Sequence, residues 1–156
     1  MSSVSAYREV QKRDAEISKT KAEIAQKEKE ISDVKKIVAR HKLFIRELED
    51  YITYRVKKLN ELYANAYETT YSGRIYNPGM DTDMASLKRE LSNTHDTLSY
   101  VQTELKKLEQ ILLELQKQLA RLQSERAYWY SEYLRLKAAE EAARRRAAAA
   151  SAAAKK

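Results

Sequence analysis

The side chains of this 156-residue chain best suited to proton transfer or metal binding are two histidines, His41 and His95, and a scatter of 23 carboxylates. A zinc or nucleophile site needs further ligands or a base held in place by a third group, and the chain contains no cysteine to supply a thiolate. His41 falls on an apolar-repeat position and His95 lies beside one, with no close acidic triad partner. The glycine-bearing stretch GRIYNPG, Gly73 to Gly79, matches none of the phosphate-cradling patterns. Carboxylates on a pair of long helices have no concave pocket in which burial could shift their pKa. The expectation is therefore no catalytic residue, no metal ligand, no cofactor and no small-molecule substrate: a protein that is not an enzyme.

Tyrosine is the other side chain with binding chemistry. Tyr51, Tyr54, Tyr63, Tyr67, Tyr71 and Tyr76 gather in one part of the sequence, and Tyr128, Tyr130 and Tyr133 flank the single tryptophan, Trp129. Such amphipathic rings serve interfaces, and at helical spacing they equally serve plain packing. Interleaved with arginine they could stack on single-stranded nucleic acid, but no RNA-binding motif accompanies them. The net charge of +7 is also uneven: residues 137–156 carry six Lys and Arg against two Glu, whereas residues 1–136 carry 24 against 21. The excess sits in KAAEEAARRRAAAASAAAKK, where Arg144, Arg145 and Arg146 could hold an acidic partner, a membrane surface or nucleic acid, or act as a solubilising tail favourable at a helix C-terminus. A nucleic-acid role predicts affinity that falls steeply with salt and is abolished by deleting residues 144–156.

The elements that must position these residues are helices. A third of the chain is charged, and Ala, Glu, Lys, Leu and Arg dominate, the profile of long helices and coiled coils. From Met84 onward apolar residues recur at alternating steps of three and four through Leu87, Leu91, Leu98, Val101 and on to Leu136, interrupted only by Thr94 and Arg126. That is the seam of a left-handed supercoil. In the first half, Val10, Ile17, Ile24, Ile31, Val38, Ile45, Ile52 and Leu59 lie one heptad apart, while the companion seam position is half polar: Arg13, Thr20, Lys27, Val34, His41, Leu48, Arg55, Leu62. A helix so sparsely apolar needs the leucine-rich second helix as its mate.

Both glycines and the only proline, Gly73, Pro78 and Gly79, fall within seven consecutive residues. The chain is expected to fold back there, with Asp81 or Asp83 as N-cap of the returning helix. The fold class is all-α, a long antiparallel two-helix coiled-coil hairpin: arm one over about 4–70, turn about 71–80, arm two about 81–148, and a frayed Ala/Lys-rich tail over 149–156. Folding about residue 76 sets Trp129, Tyr130 and Tyr133 opposite Ala22, Ala25 and Ala15, large against small, and brings Arg126 near Lys27. In that register Ile37, Leu43 and Phe44, outside the first arm's stripe, fall level with Ile111 and Leu113, outside the second's. These five form the expected partner-binding belt, for another helical protein or for self-association through helical faces; its alternative is a thicker apolar stripe half covered by lysine stems.

Two resemblances follow from this layout. Helix, tight turn and helix, with YSG (Tyr71 to Gly73) near the bend and YWYSE (Tyr128 to Glu132) late in the second helix, resembles the helical-hairpin proteins of type VII secretion. That family carries an aromatic-x-Gly turn and a Tyr-x-x-x-Asp/Glu export signal, and includes small partners that bind the helical stalk of secreted toxins. Here Tyr71 stands for the usual Trp, and Tyr128 lies inside the helix instead of after it. The resemblance implies that Tyr71, Gly73, Tyr128 and Glu132 form an export motif. The chain is also similar in size and charge to the two-helix stalk proteins or export chaperones of flagellar and type III secretion, with no motif to carry over, and a cytoskeletal or assembly scaffold is a third reading. No apolar run is long enough for a transmembrane segment or a signal-peptide core. A cytoplasmic protein is expected, or one exported by a route that reads no cleavable leader.

Overall fold

The computed structural model describes residues 1–68 and 78–155. It consists of two helices, α1 (Ser3–Glu68) and α2 (Pro78–Ala154), packed against each other as an all-α hairpin. Most of the expected turn, including Tyr71 and Gly73, lies outside the described residues.

Local chemistry fixes three of the helix ends. The Ser5 amide donates to Ser2 Oγ at 3.1 Å and the Ala6 amide to the Ser2 carbonyl at 3.0 Å, so Ser2 is the N-cap of α1 and satisfies one of its orphan donors. α2 starts at Pro78, earlier than expected. A proline has no N–H to leave unpaired in the first turn and its φ is already helical, so the expected cap positions Asp81 and Asp83 lie within the helix. At the other end α2 runs to Ala154 and does not stop near Ala148. Alanine loses no side-chain entropy in a helix, which lets the Ala-rich tail continue it.

By spatial clustering the chain divides into two units. Unit 1 combines residues 1–29 with 109–156, and unit 2 is residues 30–108. In unit 1 the core is Ala6, Val10, Ile17 and Leu122, of which Val10 is 2% exposed. In unit 2 it is Ile31, Val38, Ile45, Leu48 and Met84. These are seam positions of the two repeats, and each fully buried Val, Leu or Ile contributes about 1.5–3 kcal/mol. The polar members of the α1 seam are accommodated one by one. Thr20 is 3% exposed and its hydroxyl donates to the Glu16 carbonyl at 2.9 Å. His41 Nδ1–H donates to the Ile37 carbonyl at 3.0 Å. Arg13 donates through Nε to Glu125 Oε2 at 3.1 Å and through its other arm to Glu9. No buried side-chain nitrogen or oxygen among the described residues lacks a partner.

The register differs from the expected one. Arg126 pairs with Asp14, not Lys27, a slide of about three and a half turns. Tyr133 meets Tyr7 with the rings tilted at 45° and their centroids 5.1 Å apart, and does not face Ala15. Ser3 meets Glu140, Arg13 meets Glu125, and in unit 2 His95 meets Glu49. The reason is electrostatic. Sliding one heptad seam along another by whole repeats keeps apolar facing apolar, so the seam alone barely discriminates; the expected alignment opposed two cations, and the observed one joins Arg13 and Arg126 to carboxylates.

Candidate interaction surfaces

Among the described residues no group of three or more His, Asp or Glu side chains could hold a metal ion. His95 Nε2 lies 3.5 Å from Glu49 Oε1 on open surface, and His41 is occupied by its own helix. Open grooves flank the seam among the described residues.

In unit 2, Ile37, Phe44 and Tyr51 are 40%, 44% and 46% exposed. They stand seven residues apart on α1, and a heptad spacing stacks them along one edge of the seam, one position before Val38, Ile45 and Ile52. Phe44 is the wall of a groove completed by Arg40, His41, Thr94 and Thr97. Both threonine hydroxyls in that groove are spent on their own helix: Thr94 Oγ1 donates to the Glu90 carbonyl at 2.8 Å and Thr97 Oγ1 to the Asn93 carbonyl at 3.0 Å. What an occupant would meet is apolar. Tyr51 lines the next groove with Arg55, Asp83, Ser86, Leu87 and Glu90. Leu43, 52% exposed, sits one residue and so about 100° around the helix from Phe44, on another face.

In unit 1, Ile111 and Leu113 are 43% and 44% exposed. Ile111 shares a mostly apolar groove with Leu115 and with Lys19, Ala22, Glu23, Gln26 and Lys27 of α1. Leu113 is two residues on, far around the helix from Ile111. Of the five residues expected to make one belt, Phe44 in unit 2 lies beside Thr94 and Thr97, and Ile111 in unit 1 lies beside Ala22. Within unit 2, Ile37 and Phe44 stand in a stripe with Tyr51. Tyr51 stands in it where the sequence reading counted it only among clustered tyrosines; its heptad spacing from Phe44 was the signal.

Unit 1 also holds an aromatic cluster. Tyr7 meets Tyr133, Tyr130 lies 6.1 Å from Tyr133, and Tyr128 packs edge-on to Trp129 at 5.3 Å. Arg126 stands over Tyr130 and Lys137 over Tyr133. Tyr128 is 59% exposed, and Glu132 lies one turn on along α2. The Glu132 carboxylate accepts from Arg135 Nη2 at 2.7 Å, which holds its pKa below the usual carboxylate value. Tyr71 and Gly73, the other half of the expected export motif, lie outside the described residues. Nearby, Ser3 donates to both oxygens of Glu140, through its hydroxyl at 2.6 Å and its amide at 2.9 Å, and these bonds lower the Glu140 pKa. Arg144, Arg145 and Arg146 are helical and exposed. No helix of the described residues is long and apolar enough to cross a membrane.

No protein-family model, curated protein or solved structure matches the chain.

Proposed function

We propose that the chain is a non-enzymatic interaction module that presents helical surface to another helical protein or to a copy of itself. The observation that carries this reading is the exposed heptad stripe of Ile37, Phe44 and Tyr51 with an apolar groove beside its central ring. Apolar side chains at the spacing of a coiled-coil seam, standing outside the seam the two helices already make, match what a further helix packs against. Isolated exposed apolar residues would need no explanation, whereas a periodic row beside a groove does.

A photo-crosslinking residue at Phe44, introduced in the cell that makes the protein, tests the reading directly. Adducts to a protein are expected at position 44 and not at Ser32, which is exposed on another face of α1. Equal adduct yields at the two positions, or none at 44, would remove the reading.

A secretion role is the second reading, favoured by Tyr128 standing exposed with Glu132 one turn later, the two side chains a transport machinery of the type VII kind would have to see together. Tyr128→Ala should then abolish appearance of the protein outside a host that has such machinery. Undiminished export would dismiss it.

A further inference from the structure

Resting on the reading of the chain as an interaction module, we infer that the occupant of the unit 2 stripe is a second copy of the same chain, docked antiparallel with Phe44 at the twofold axis. The charges flanking the stripe carry this. One turn before Phe44 stands Arg40, and nearly one turn after it stands Glu47; both are exposed, and neither is ion-paired among the described residues. The face therefore reads Ile37, base, Phe44, acid, Tyr51, and its charges change sign when it is reversed.

A copy laid antiparallel meets its own complement. Phe44 faces Phe44, Ile37 faces Tyr51, and Arg40 of each chain faces Glu47 of the other. A parallel copy would set Arg40 against Arg40 and Glu47 against Glu47, so the same charges that favour one orientation oppose the other. A twofold interface must be self-complementary in this way, residue i meeting j and j meeting i. The groove under Phe44 supplies the fit. Thr94 and Thr97 are small and their hydroxyls are already bonded, so the ring of the copy can settle beside Phe44 without leaving a polar atom unpaired. From position 30 to position 58 the face is about 40 Å long at 1.5 Å per residue. With both helices of unit 2 contributing, that offers roughly 800 Å² per partner, the size of a standard stable interface.

The absence of native cysteine makes the arrangement directly readable. In the full chain, Phe44→Cys should form a disulfide-linked dimer under mild oxidation. Ile37→Cys alone and Tyr51→Cys alone should not, and their mixture should. Crosslinking of Ile37→Cys to itself would overturn the antiparallel geometry. The charge pair gives a second test by sedimentation: Arg40→Glu and Glu47→Arg should each weaken self-association about tenfold or more. Mixing the two variants should restore it, because both inter-chain pairs are then opposite in sign again. Weakening without restoration on mixing would overturn the pairing.

A monomeric wild type whose position 44 still crosslinks to a different protein would refute the second copy while leaving the interaction reading intact. A monomer with no adduct at 44 would refute both.

Discussion

Units 1 and 2 are built from the same two heptad repeats, yet they use their polar and apolar surplus differently. Unit 1 spends polar surplus inside the chain. Ser3 closes on Glu140, Arg13 on Glu125, Asp14 on Arg126, and Tyr7 on Tyr133, so these groups bind one another across the two helices, while Ile111 and Leu113 stay exposed. In unit 2 the cross-helix polar contacts include Arg55 to Asp83 at 3.9 Å and His95 to Glu49 at 3.5 Å, both longer. That unit leaves Ile37, Phe44 and Tyr51 in solvent. The contrast separates two tasks that one periodicity can serve: cross-helix bonds fix how the hairpin closes, and a surplus apolar row is what remains available to a neighbour.

The sharpest way to break this contrast is to delete one large apolar side chain from each unit. Leu122 is 3% exposed in unit 1, and Leu122→Ala should cost about 2–4 kcal/mol of folding free energy by lost burial and a residual cavity. Phe44→Ala, measured by thermal unfolding at a concentration where the chain is monomeric, should fall within about 0.5 kcal/mol of wild type, as surface substitutions do. Equal costs would mean that Phe44 belongs to the core of the hairpin and is not a surface held for a partner.

The cross-helix ion pairs sharpen the comparison at a smaller scale. The Arg13 side chain is 18% exposed and bonded to two carboxylates, while Arg55 is 31% exposed with its partner at the limit of an ion pair. Arg13→Met should cost about 1 kcal/mol, much of it from leaving Glu9 and Glu125 with less compensation, and Arg55→Met close to nothing. Denaturant titration of both variants checks the order. If Arg55 mattered more, the assignment of register to unit 1's charge pairs would be wrong.

That register is also where sequence and structure part. The two helices, their pairing and the members of the seam follow from the sequence because burial repeats every seven residues: Val10, Ile17, Ile31, Val38 and Ile45 are all buried at the expected phase. Which turn of α1 meets which turn of α2 does not follow, since a heptad pattern slid by whole repeats is nearly degenerate. The matching of Trp129 and Tyr133 with alanines was a size argument, and size yielded to charge at Asp14, Arg126, Arg13 and Glu125. The docking residues were legible only in part for the same reason. Ile37 and Phe44 show themselves as apolar residues off the seam, but grouping them with Ile111 required the register, and pairing them with Tyr51, Arg40 and Glu47 required only the heptad spacing within α1.

Acid should act on unit 1 through Glu140. Glu140 has its carboxylate pKa lowered by the Ser3 hydroxyl and amide, so the ionised form is favoured in the folded chain. A group with a depressed folded pKa contributes stability above its unfolded pKa, and that contribution is lost as pH falls through the lower, folded value. Ser3→Ala should raise the Glu140 pKa back toward the ordinary carboxylate range, seen by NMR titration of its side-chain carboxyl, and should flatten the acid end of the stability curve. A Glu140 pKa unmoved by Ser3→Ala, which keeps the amide donor and removes only the hydroxyl, would mean that the hydroxyl bond is not populated in solution.

The smallest effect expected concerns the end of α2. Ser3 of α1 meets Glu140, and from Ala143 to Ala154 every residue of α2 is exposed, so this stretch is helical by intrinsic propensity with no burial behind it. Propensity without burial holds a helix only marginally and frays toward its terminus. Removing residues 149–156 should therefore lower the far-UV helical signal in proportion to the residues lost while leaving the unfolding midpoint within about a degree, because no seam contact of either unit is touched. A midpoint drop of several degrees would show that the tail packs on something within the chain, and would move part of unit 1's stability out of its cross-helix bonds and into a segment that carries no seam residue.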